Sequence, residues 1–423
     1  MGILLKNADF VDPIGKVVQK TDVLVENGVI AQMDQALPET GHQVLDLTGK
    51  YLCPGLVDMH VHFRDPGLTY KEDICSGSQA AAAGGFTAVC CMPNTKPVLD
   101  TPELLNYVNQ KGRDAGFCSV YPIAAVTQGQ AGAALTDFSA LANAGAIAFS
   151  DDGVPVSSAK RMRDALFAAK KLGKVVISHC EDAEMVMNYG VNEGEVSKKL
   201  GLPGRPAIAE DLMVARDLML AAETGGHVHI AHVSTKGSAQ LIREAKKRGV
   251  FVTGETCPQY FMYTEQELLK KGTQARVNPP LRTEADRLAI LEAVLDGTLD
   301  CIVTDHAPHS PEEKSRPLPD APSGMVGLET SLSACYTALV VPGHLTMPEL
   351  IDKMTAAPAN ILNLPVSRQP GDSADLTVFD PNTAWTVEPE RFRSKGRSTV
   401  FAGETLRGQV YLTMLAGKIT YQR

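Results

Sequence analysis

Hydrophobic positions in the middle of the chain form short apolar runs, each followed by a longer amphipathic stretch. The eight runs are LVDMH (56–60), TAVCCM (87–92), SVYPIAA (119–125), AIAFS (146–150), KVVISH (174–179), HVHIAH (227–232), GVFVTGE (249–255) and DCIVTD (300–305). Short apolar runs predict buried strands, and stretches such as AKRMRDALFAAKKLG have the periodicity of helices. Eight strand-then-helix units predict an α/β protein with a (β/α)8 TIM-type barrel. A doubly wound sheet is the alternative, although such sheets usually stop at about five to seven strands.

Both ends of the chain show the two-residue alternation of strands with one polar face. Residues 2–52 contain several such stretches, separated by turns such as Asn27-Gly28, and predict a small antiparallel β unit. Similar alternation returns after residue 370. Because chain termini often lie close together, we expect the two ends to form one composite β-sandwich domain. The predicted boundaries are 1–53 and 365–423 for this domain and 54–364 for the barrel.

The composition, with 44% hydrophobic and 21% charged residues, is typical of a soluble globular enzyme. The net charge of −9, without a basic stripe, argues against nucleic acid as the main partner. No apolar run approaches the roughly 20 residues of a membrane span, and the first residues lack the apolar core of a signal peptide. Nine cysteines without a C-x-x-C pair are expected to be reduced and mostly buried. We therefore predict a cytoplasmic protein without membrane contact.

Metal-binding residue types occur where the predicted strands end. The segment DMHVHFRDPG (58–67) spaces two histidines and an arginine two residues apart, so they share one face of an extended segment. The candidates at the strand ends are His60, His62, Asp151, Asp152, His179, His232 and Asp305. In a barrel these ends carry the active site, and imidazole with carboxylate suits a divalent ion such as zinc. Either two metals share a bridging carboxylate, or one metal accompanies a free acid/base carboxylate.

Strand parity separates the other histidines from this group. His227 and His229 have the opposite parity to His232, so we expect them to point toward the helices as packing residues. His306 is likewise expected on the other face from Asp305.

Polar residues beside the strand ends indicate what kind of substrate binds. Arg64 can hold a carboxylate through two parallel hydrogen bonds. Asn94 and Asn278 lie on predicted loops, where an amide can orient a substrate, and His309 follows the last strand closely enough to face it. A substrate that bears a carboxylate suits Arg64 better than a neutral one.

Eight segments together resemble a known family. They are PGLVDMHVHFRDPG, GGFTAVCCMPNTKP, FSDDG, ISHCED, HIAHVSTKGS, TGETCPQY, VNPPLR and TDHAPH. In this order they are similar to the cyclic-amide branch of the amidohydrolase superfamily, and most closely to the bacterial class I dihydroorotase family. The resemblance covers nearly the whole chain, whereas single pieces such as H-x-H also occur in dihydropyrimidinases, hydantoinases and allantoinases. It implies a barrel flanked by a composite β-domain.

The resemblance implies a role for each matching residue. One zinc ion would be held by His60, His62 and Asp305 and a second by His179 and His232, with Asp152 as the bridge; a single zinc is the alternative. Asp305 would also be the general base and acid. The substrate would be bound by Arg64, Asn94, Asn278 and His309 and by main-chain groups of Ser323 and Gly324. The implied reaction is the reversible opening of L-dihydroorotate to N-carbamoyl-L-aspartate, in the biosynthesis of the pyrimidine nucleotide UMP.

The end of predicted strand 4 distinguishes branches of the superfamily. Hydantoinase-like and allantoinase-like relatives bridge their metals there with a carboxylated lysine. This chain reads AFSDDGVP, and no lysine follows until Lys160. An aspartate bridge is typical of class I dihydroorotases, so the difference favours that family. Spacing alone leaves Asp151 and Asp152 open as the bridge, and the resemblance favours Asp152.

Two other functions compete with this interpretation. A hydrolase for hydantoins, dihydrouracil or allantoin is disfavoured by Arg64 and by the missing lysine. A catalytically silent homologue that scaffolds aspartate transcarbamoylase is disfavoured because none of the expected metal ligands is lost. The resemblance also implies a small-molecule substrate and a homodimer, and leaves association with aspartate transcarbamoylase open.

Overall fold

The computed structural model describes residues 2–186 and 190–423, which form an α/β protein with three sheets. Its strands are β1 (Ile3–Asp12), β2 (Val17–Glu26), β3 (Val29–Asp34), β4 (Gln43–Asp46), β5 (Tyr51–Pro54), β6 (Leu56–Val61), β7 (Phe86–Cys91), β8 (Ser119–Pro122), β9 (Phe149–Ser150), β10 (Val176–Ser178), β11 (Val228–Ile230), β12 (Val252–Thr256), β13 (Cys301–Ile302), β14 (Leu376–Thr386), β15 (Thr405–Leu415) and β16 (Lys418–Gln422).

Helices connect and cover the strands. They are α1 (Ile74–Ala83), α2 (Pro102–Ala115), α3 (Phe138–Asn143), α4 (Ala159–Lys171), α5 (Glu195–Leu200), α6 (Ile208–Thr224), α7 (Lys236–Lys247), α8 (Pro258–Met262), α9 (Glu267–Lys271), α10 (Glu284–Leu295), α11 (Pro311–Lys314), α12 (Ser331–Cys335), α13 (Met347–Met354) and α14 (Ala356–Leu362).

The eight strands expected in the middle of the chain are present, and all of their pairings are parallel. One sheet has the order β6-β7-β8 and the other the order β9-β10-β11-β12-β13. Single bridges join the two sheets at both edges, between Val61 and His306 and between Ala124 and Phe149. Every residue of β6 and β7 is buried, as expected for parallel strands covered on both faces.

Helix α7 illustrates how the amphipathic stretches fold. The side chain of Thr235 accepts a hydrogen bond from the backbone N–H of Ser238 and so caps the first turn. The helix buries an apolar stripe that includes Ile242, and it ends in Lys246 and Lys247, where cations suit the helix dipole. Helices of this kind cover the parallel strands and leave the carboxyl ends of those strands open.

A third sheet contains strands from both ends of the chain, in the order β16-β15-β14-β5-β1-β2-β3, with β4 on β1. The pairs β1–β2 and β2–β3 are antiparallel, as predicted. The prediction of a wholly antiparallel N-terminal unit is wrong, because β1 pairs in parallel with β4 and β5. Longer connections return the chain to the same edge in the same direction. Strand β5 pairs with β14, and Phe10, Leu52 and Leu376 pack in one small core.

All nine cysteines are free, and eight of them are buried, which confirms the prediction. Among the described residues, no helix combines the length and the apolar character needed to cross a membrane.

Candidate active site

One cavity of about 820 Å³ lies at the carboxyl ends of the parallel strands. Eleven of the twelve residues predicted for the site line it: His62, Arg64, Asn94, Asp152, His179, His232, Asn278, Asp305, His309, Ser323 and Gly324. The twelfth, His60, lies beneath the cavity floor and is fully buried. The parallel topology therefore brings together residues that are spread over more than 260 positions of the sequence.

The carboxylate of Asp152 is the centre of the site. Its Oδ2 atom faces Nε2 of His60 at 3.5 Å and Nε2 of His62 at 3.4 Å. Its Oδ1 atom faces Nδ1 of His179 at 3.2 Å and Nε2 of His232 at 3.3 Å. Each oxygen of Asp152 thus faces a different pair of histidines. A carboxylate that bridges two cations requires this arrangement.

Asp305 lies on the side of the first histidine pair. Its Oδ1 is 3.2 Å from Nε2 of His62 and 3.6 Å from Nε2 of His60. The backbone of Asp305 has a φ of +49°, and those of His232 and Arg64 have φ values of +33° and +62°. Left-handed conformations are unfavourable for these residue types and occur where function demands a particular direction. They turn the side chains at the strand ends into the cavity.

Asp151 and Asp152 are adjacent but have opposite surroundings. The Oδ1 of Asp151 accepts hydrogen bonds from the backbone N–H groups of Val126 and Thr127, at 2.9 and 3.0 Å, and Oδ2 accepts from the Thr127 hydroxyl at 2.6 Å. Asp151 is therefore turned away from the histidines. The geometry supports Asp152 as the bridge, which spacing alone left open.

The charges of the cluster respond to this geometry. Burial lowers the pKa of His60, but the carboxylates of Asp152 and Glu255 outweigh it and hold that pKa well above its usual value. Burial likewise opposes the charge on Asp152, yet His60, His179 and His232 hold its pKa well below the usual range. Burial alone would lower the pKa of His179, and Asp152 with Glu181 instead raises it to about 10. The carboxylates thus draw positive charge into the site.

The donor atoms fit a divalent metal ion. Nε2 of His60 and Oδ1 of Asp152 are buried and make no acceptable hydrogen bond to any described residue. Nδ1 of His179 lies 2.8 Å from Nε2 of His232, so two imidazole nitrogens point at one place. Two of the three groups whose ligand atoms lie within 4.8 Å of one another are in this cluster: His60 with His62 and Asp305, and His60 with Asp152 and His232. The third, His229 with Glu255 and Cys301, lies beneath it. Imidazole nitrogen and carboxylate oxygen are ligands of zinc and similar ions.

The far side of each ring is also held. Nδ1 of His62 donates to Oδ1 of Asn94 at 2.8 Å, and Nδ1 of His60 donates to Oε1 of Glu255 at 2.5 Å. Nε2 of His179 faces Glu181 at 3.5 Å. Such partners fix which ring nitrogen carries the proton and direct the other at a metal. Asn94, predicted to bind substrate, therefore also orients His62.

Arg64 forms a charged wall of the cavity. It is almost fully buried, and its Nε donates to the carbonyl of Pro308 at 3.2 Å. Burial lowers its pKa to about 10, so the guanidinium stays charged at neutral pH. A buried cation that lines a cavity is well suited to hold a substrate carboxylate.

The remaining predicted substrate residues line the cavity with some of their groups already occupied. Nε2 of His309 donates to the Ser323 carbonyl at 2.9 Å, and Nδ1 accepts from Lys71 at 3.2 Å. The N–H of Gly324 donates to a neighbouring carbonyl, and Asn278 contacts Arg205 and Glu181. A substrate that contacts the His309 ring must replace one of these partners.

The structure corrects one parity prediction and supports another. His229 does not point toward the helices: its Nε2 donates to Oε2 of Glu255 at 3.1 Å, on the side of the sheet where His60 lies. Parity counted from His232 misleads because the chain leaves β11 at Ile230 and reaches His232 with a left-handed φ. His306 lies away from the cluster, 3.3 Å from Glu72.

Sequence reasoning assigned no role to three residues that the structure brings to the site. Glu181 and Arg205 line the cavity and contact each other at 2.7 Å, and Glu255 supports His60 from below. A charged residue at the end of an apolar strand, as in GVFVTGE, was a usable signal for Glu255. Its partner His60 is 195 positions away, so spacing could not supply the role.

Comparisons with known proteins find relatives over the whole length of the chain. A family model described as "Dihydro-orotase-like" matches residues 49–238. Proteins named "Dihydroorotase" from Syntrophus aciditrophicus (strain SB) and Pelotomaculum thermopropionicum are each 48% identical to the chain. The matches cover all of this chain and 100% and 99% of the relatives, and one from Aquifex aeolicus is 44% identical over 99% of both.

Solved structures share the fold at lower identity. The L-hydantoinase (dihydropyrimidinase) from Arthrobacter aurescens has a TM-score of 0.87 at 24% identity, and the dihydropyrimidinase from Brevibacillus agri NCHU1002 has 0.87 at 22%. Both matches cover 99% of this chain and 95% of the other. The chain thus has the fold of these two solved structures. The full-length identity is more specific: the chain belongs to the dihydroorotase family.

Proposed function

We propose that the protein catalyses the reversible hydrolysis of L-dihydroorotate to N-carbamoyl-L-aspartate, a step in the biosynthesis of UMP. The observation that carries the proposal is the placement of Asp152 between two histidine pairs, in a cavity whose wall is the buried cation Arg64. A cyclic amide with a carboxylate substituent fits both parts: the amide at the histidine cluster and the carboxylate at Arg64.

The proposed cofactor is zinc, two ions per chain. His60, His62 and Asp305 would hold one ion and His179 with His232 the other, bridged by Asp152. The two oxygens of Asp152 and the unpaired Nε2 of His60 support this assignment. When bound, zinc supplies Lewis-acid polarisation of the amide carbonyl and lowers the pKa of water toward neutrality.

Asp305 is the proposed proton carrier. Its carboxylate borders the cavity 3.2 Å from His62 and, despite burial, has a lowered pKa because His62 and His60 stabilise its charge. It can therefore accept a proton from the attacking water and deliver it to the ring nitrogen as the C–N bond breaks. The new carboxyl group then loses its proton to solvent. Ring closure follows the same steps in reverse.

Orientation of the substrate is assigned to the cavity wall. Arg64 would hold the exocyclic carboxylate, with Asn94, Asn278 and His309 and the main chain of Ser323 and Gly324 around the ring. Holding the reacting carbonyl beside the proton carrier turns binding energy into rate. Asn94 suits this position because its Oδ1 is occupied by His62 and its amide N–H groups are left for an acceptor.

The proposed architecture is a (β/α)8 barrel over residues 54–364 and a composite β-domain from residues 1–53 and 365–423. The bridges that join β6 to the segment after β13, and the segment after β8 to β9, support closure of the eight strands. The pairing of β5 with β14 supports a domain built from both ends. The homodimer and the association with aspartate transcarbamoylase stay predictions from the family resemblance, and the cytoplasmic location stays a prediction from the composition and the cysteines.

The decisive experiment measures ring opening of dihydroorotate by the purified protein before and after chelation, with dihydrouracil and hydantoin beside it. Turnover of dihydroorotate alone, lost on chelation and restored by zinc, is the expected result. Turnover of the neutral rings instead would assign the protein to the hydantoinase type. Metal-loaded protein without any turnover would favour a scaffold.

A further inference from the structure

Beneath the metal-binding histidines, a line of hydrogen-bonded side chains runs along the parallel strands. Nε2 of His227 lies 2.8 Å from the hydroxyl of Thr253, and that hydroxyl lies 2.7 Å from Nδ1 of His229. Nε2 of His229 lies 3.1 Å from Oε2 of Glu255, whose Oε1 lies 2.5 Å from Nδ1 of His60. His60, His229 and Glu255 are completely shielded from solvent, whereas His227 and Thr253 are half-buried.

Elementary donor and acceptor rules make the hydrogen bonds of the line converge on Glu255. An ionised Glu255 can only accept, so both ring nitrogens that face it carry hydrogen. A neutral His229 then accepts at Nδ1, and the hydroxyl of Thr253 must donate to it. That hydroxyl oxygen is left to accept from His227. Glu255 thus accepts from His229 on one side and from His60 on the other, and it sets the position of the hydrogen on the His60 ring directly.

Glu255 touches both halves of the proposed metal site. Besides the ring of His60, its Oε1 accepts from the backbone N–H of His232 at 3.3 Å. His232 has a left-handed backbone, so a hydrogen bond at this position helps to hold an unfavourable conformation. With Nδ1 of His60 committed to Glu255, Nε2 is the ring nitrogen left for a metal ion, and it faces Asp152 and Asp305.

We propose that Glu255, held by His229 and Thr253, is a positioning residue that fixes His60 and the backbone of His232 for metal binding. The inference rests on the proposed metal site. Loss of an outer hydrogen-bond partner typically weakens metal binding by about 10- to 100-fold, because the ligand loses both its orientation and its preferred tautomer.

Two substitutions test the line at different distances from the metal. In Glu255→Gln the amide group cannot accept from both histidines, so we expect metal affinity to fall by about 10- to 100-fold. Thr253→Val removes the hydroxyl at nearly constant shape, three hydrogen bonds away from His60, and should weaken metal affinity in the same direction by less. Zinc content and affinity are measured by competition with a chromophoric chelator, and the visible spectrum of the cobalt-substituted protein reports ligand geometry.

The matched control is Thr377→Val. Thr377 is fully buried, whereas Thr253 is half-buried, and the hydroxyl of Thr377 donates to the carbonyl of Gly85 at 2.6 Å, in the sheet formed by the two chain ends. This substitution should lower the thermal stability and leave metal affinity and the cobalt spectrum unchanged. If Thr253→Val also leaves metal affinity and the cobalt spectrum unchanged, the inference is overturned. This test remains available even if Glu255→Gln fails to fold.

The wild-type protein is titrated with zinc in parallel, so that the proposed metal site and the positioning role of Glu255 are tested separately. Tight zinc binding by the wild type together with unchanged binding by both variants overturns the positioning role and leaves the proposed metal site intact. Failure of the wild type to bind zinc overturns the metal site, and the positioning role with it.

Discussion

Individual residues in this site act through fixed pairings of charge. Asp152 lies among four imidazoles, and two of those rings are held from behind by Glu255 and Asn94. Each side chain therefore has one face toward the proposed metal position and one toward a partner in the protein. Substitutions at single residues should separate proton transfer, substrate binding and metal binding from one another.

The proton carrier is tested by Asp305→Ala. We expect turnover of dihydroorotate to fall by about 10²- to 10⁴-fold, the usual contribution of a general acid or base. At least one zinc ion per chain should remain, because Asp152, His179 and His232 are unchanged. Steady-state kinetics and atomic absorption on the same preparation measure both quantities. Unchanged turnover would remove Asp305 from the mechanism.

The carboxylate contact is tested by Arg64→Met. Hydrogen bonds to a charged group contribute about 1.5–3 kcal/mol, so dihydroorotate should bind roughly 10- to 100-fold more weakly. Dihydrouracil lacks the carboxylate and should lose much less. Arg316→Met is the control, since Arg316 is an exposed arginine that lines the same cavity. Equal losses for the two ligands, measured by calorimetry, would contradict a carboxylate contact at Arg64.

At the scale of secondary-structure elements, short connections hold the strand ends in place. Asp151 joins the end of β9 to the segment after β8 through three hydrogen bonds. Asp58 in β6 accepts from both the backbone and the side chain of Thr304, just after β13. These carboxylates keep neighbouring strand ends in register, and they thereby help to position the proposed ligands Asp152, His60 and Asp305.

Asp151→Ala tests this role. The buried backbone N–H of Thr127 loses its acceptor and that of Val126 keeps only the Ser150 carbonyl at 3.3 Å, so the free energy of unfolding should fall by about 1–3 kcal/mol. Urea denaturation measures the change, and Asp151→Asn, which keeps an acceptor oxygen, should lose less. The folded Asp151→Ala protein should still bind zinc as the wild type does. Asp152→Ala should bind zinc more weakly than the wild type. The reverse pattern would show that Asp151 is the bridge.

The elements and the ligands were predictable from sequence to different degrees. The period of apolar residues located all eight parallel strands, and residue types at their ends located His60, His179, His232 and Asp305. Strand direction in the N-terminal segment was not predictable, because a two-residue period is the same in parallel and antiparallel pairs. The role of Glu255 was not predictable either, since it depends on a neighbour across the sheet and not along the chain.

At the scale of the whole molecule, the C-terminal segment is fastened to the parallel-strand region by buried carboxylates. Glu329 accepts from the backbone N–H groups of Arg393 and Ser394, and Glu72 accepts from the backbone N–H of Lys395 at 3.2 Å. Glu72 also contacts His306, next to Asp305. The terminal segment thus contacts Glu72, and Glu72 contacts His306, the residue that follows the proposed proton carrier in the chain.

Stability should depend on pH through Glu329. Burial raises the pKa of Glu329 to about 7, although the backbone donors of Arg393 and Ser394 oppose the shift, whereas the unfolded chain has a value near 4.5. The stabilisation from this group is present below pH 4.5 and lost as the pH rises through 7. The glutamine side chain in Glu329→Gln cannot ionise. The free energy of unfolding of this variant, relative to that of the wild type, should therefore increase between pH 5 and pH 8, by up to about 3 kcal/mol. If denaturation experiments give the same difference in free energy of unfolding between variant and wild type at pH 5 and at pH 8, the expectation is contradicted.

The pairing of β5 with β14 has a consequence for how the protein is made. At about 5–20 residues per second, the roughly 320 residues between the two strands take about 16–64 s to be synthesised. During this time β1 and β5 can pair, but the outer edge of β5 has no neighbour from its own chain. Unpaired strand edges are templates for association with other chains. Crowded polysomes or slowed translation should therefore favour aggregation through the N-terminal strands, before any metal site has formed.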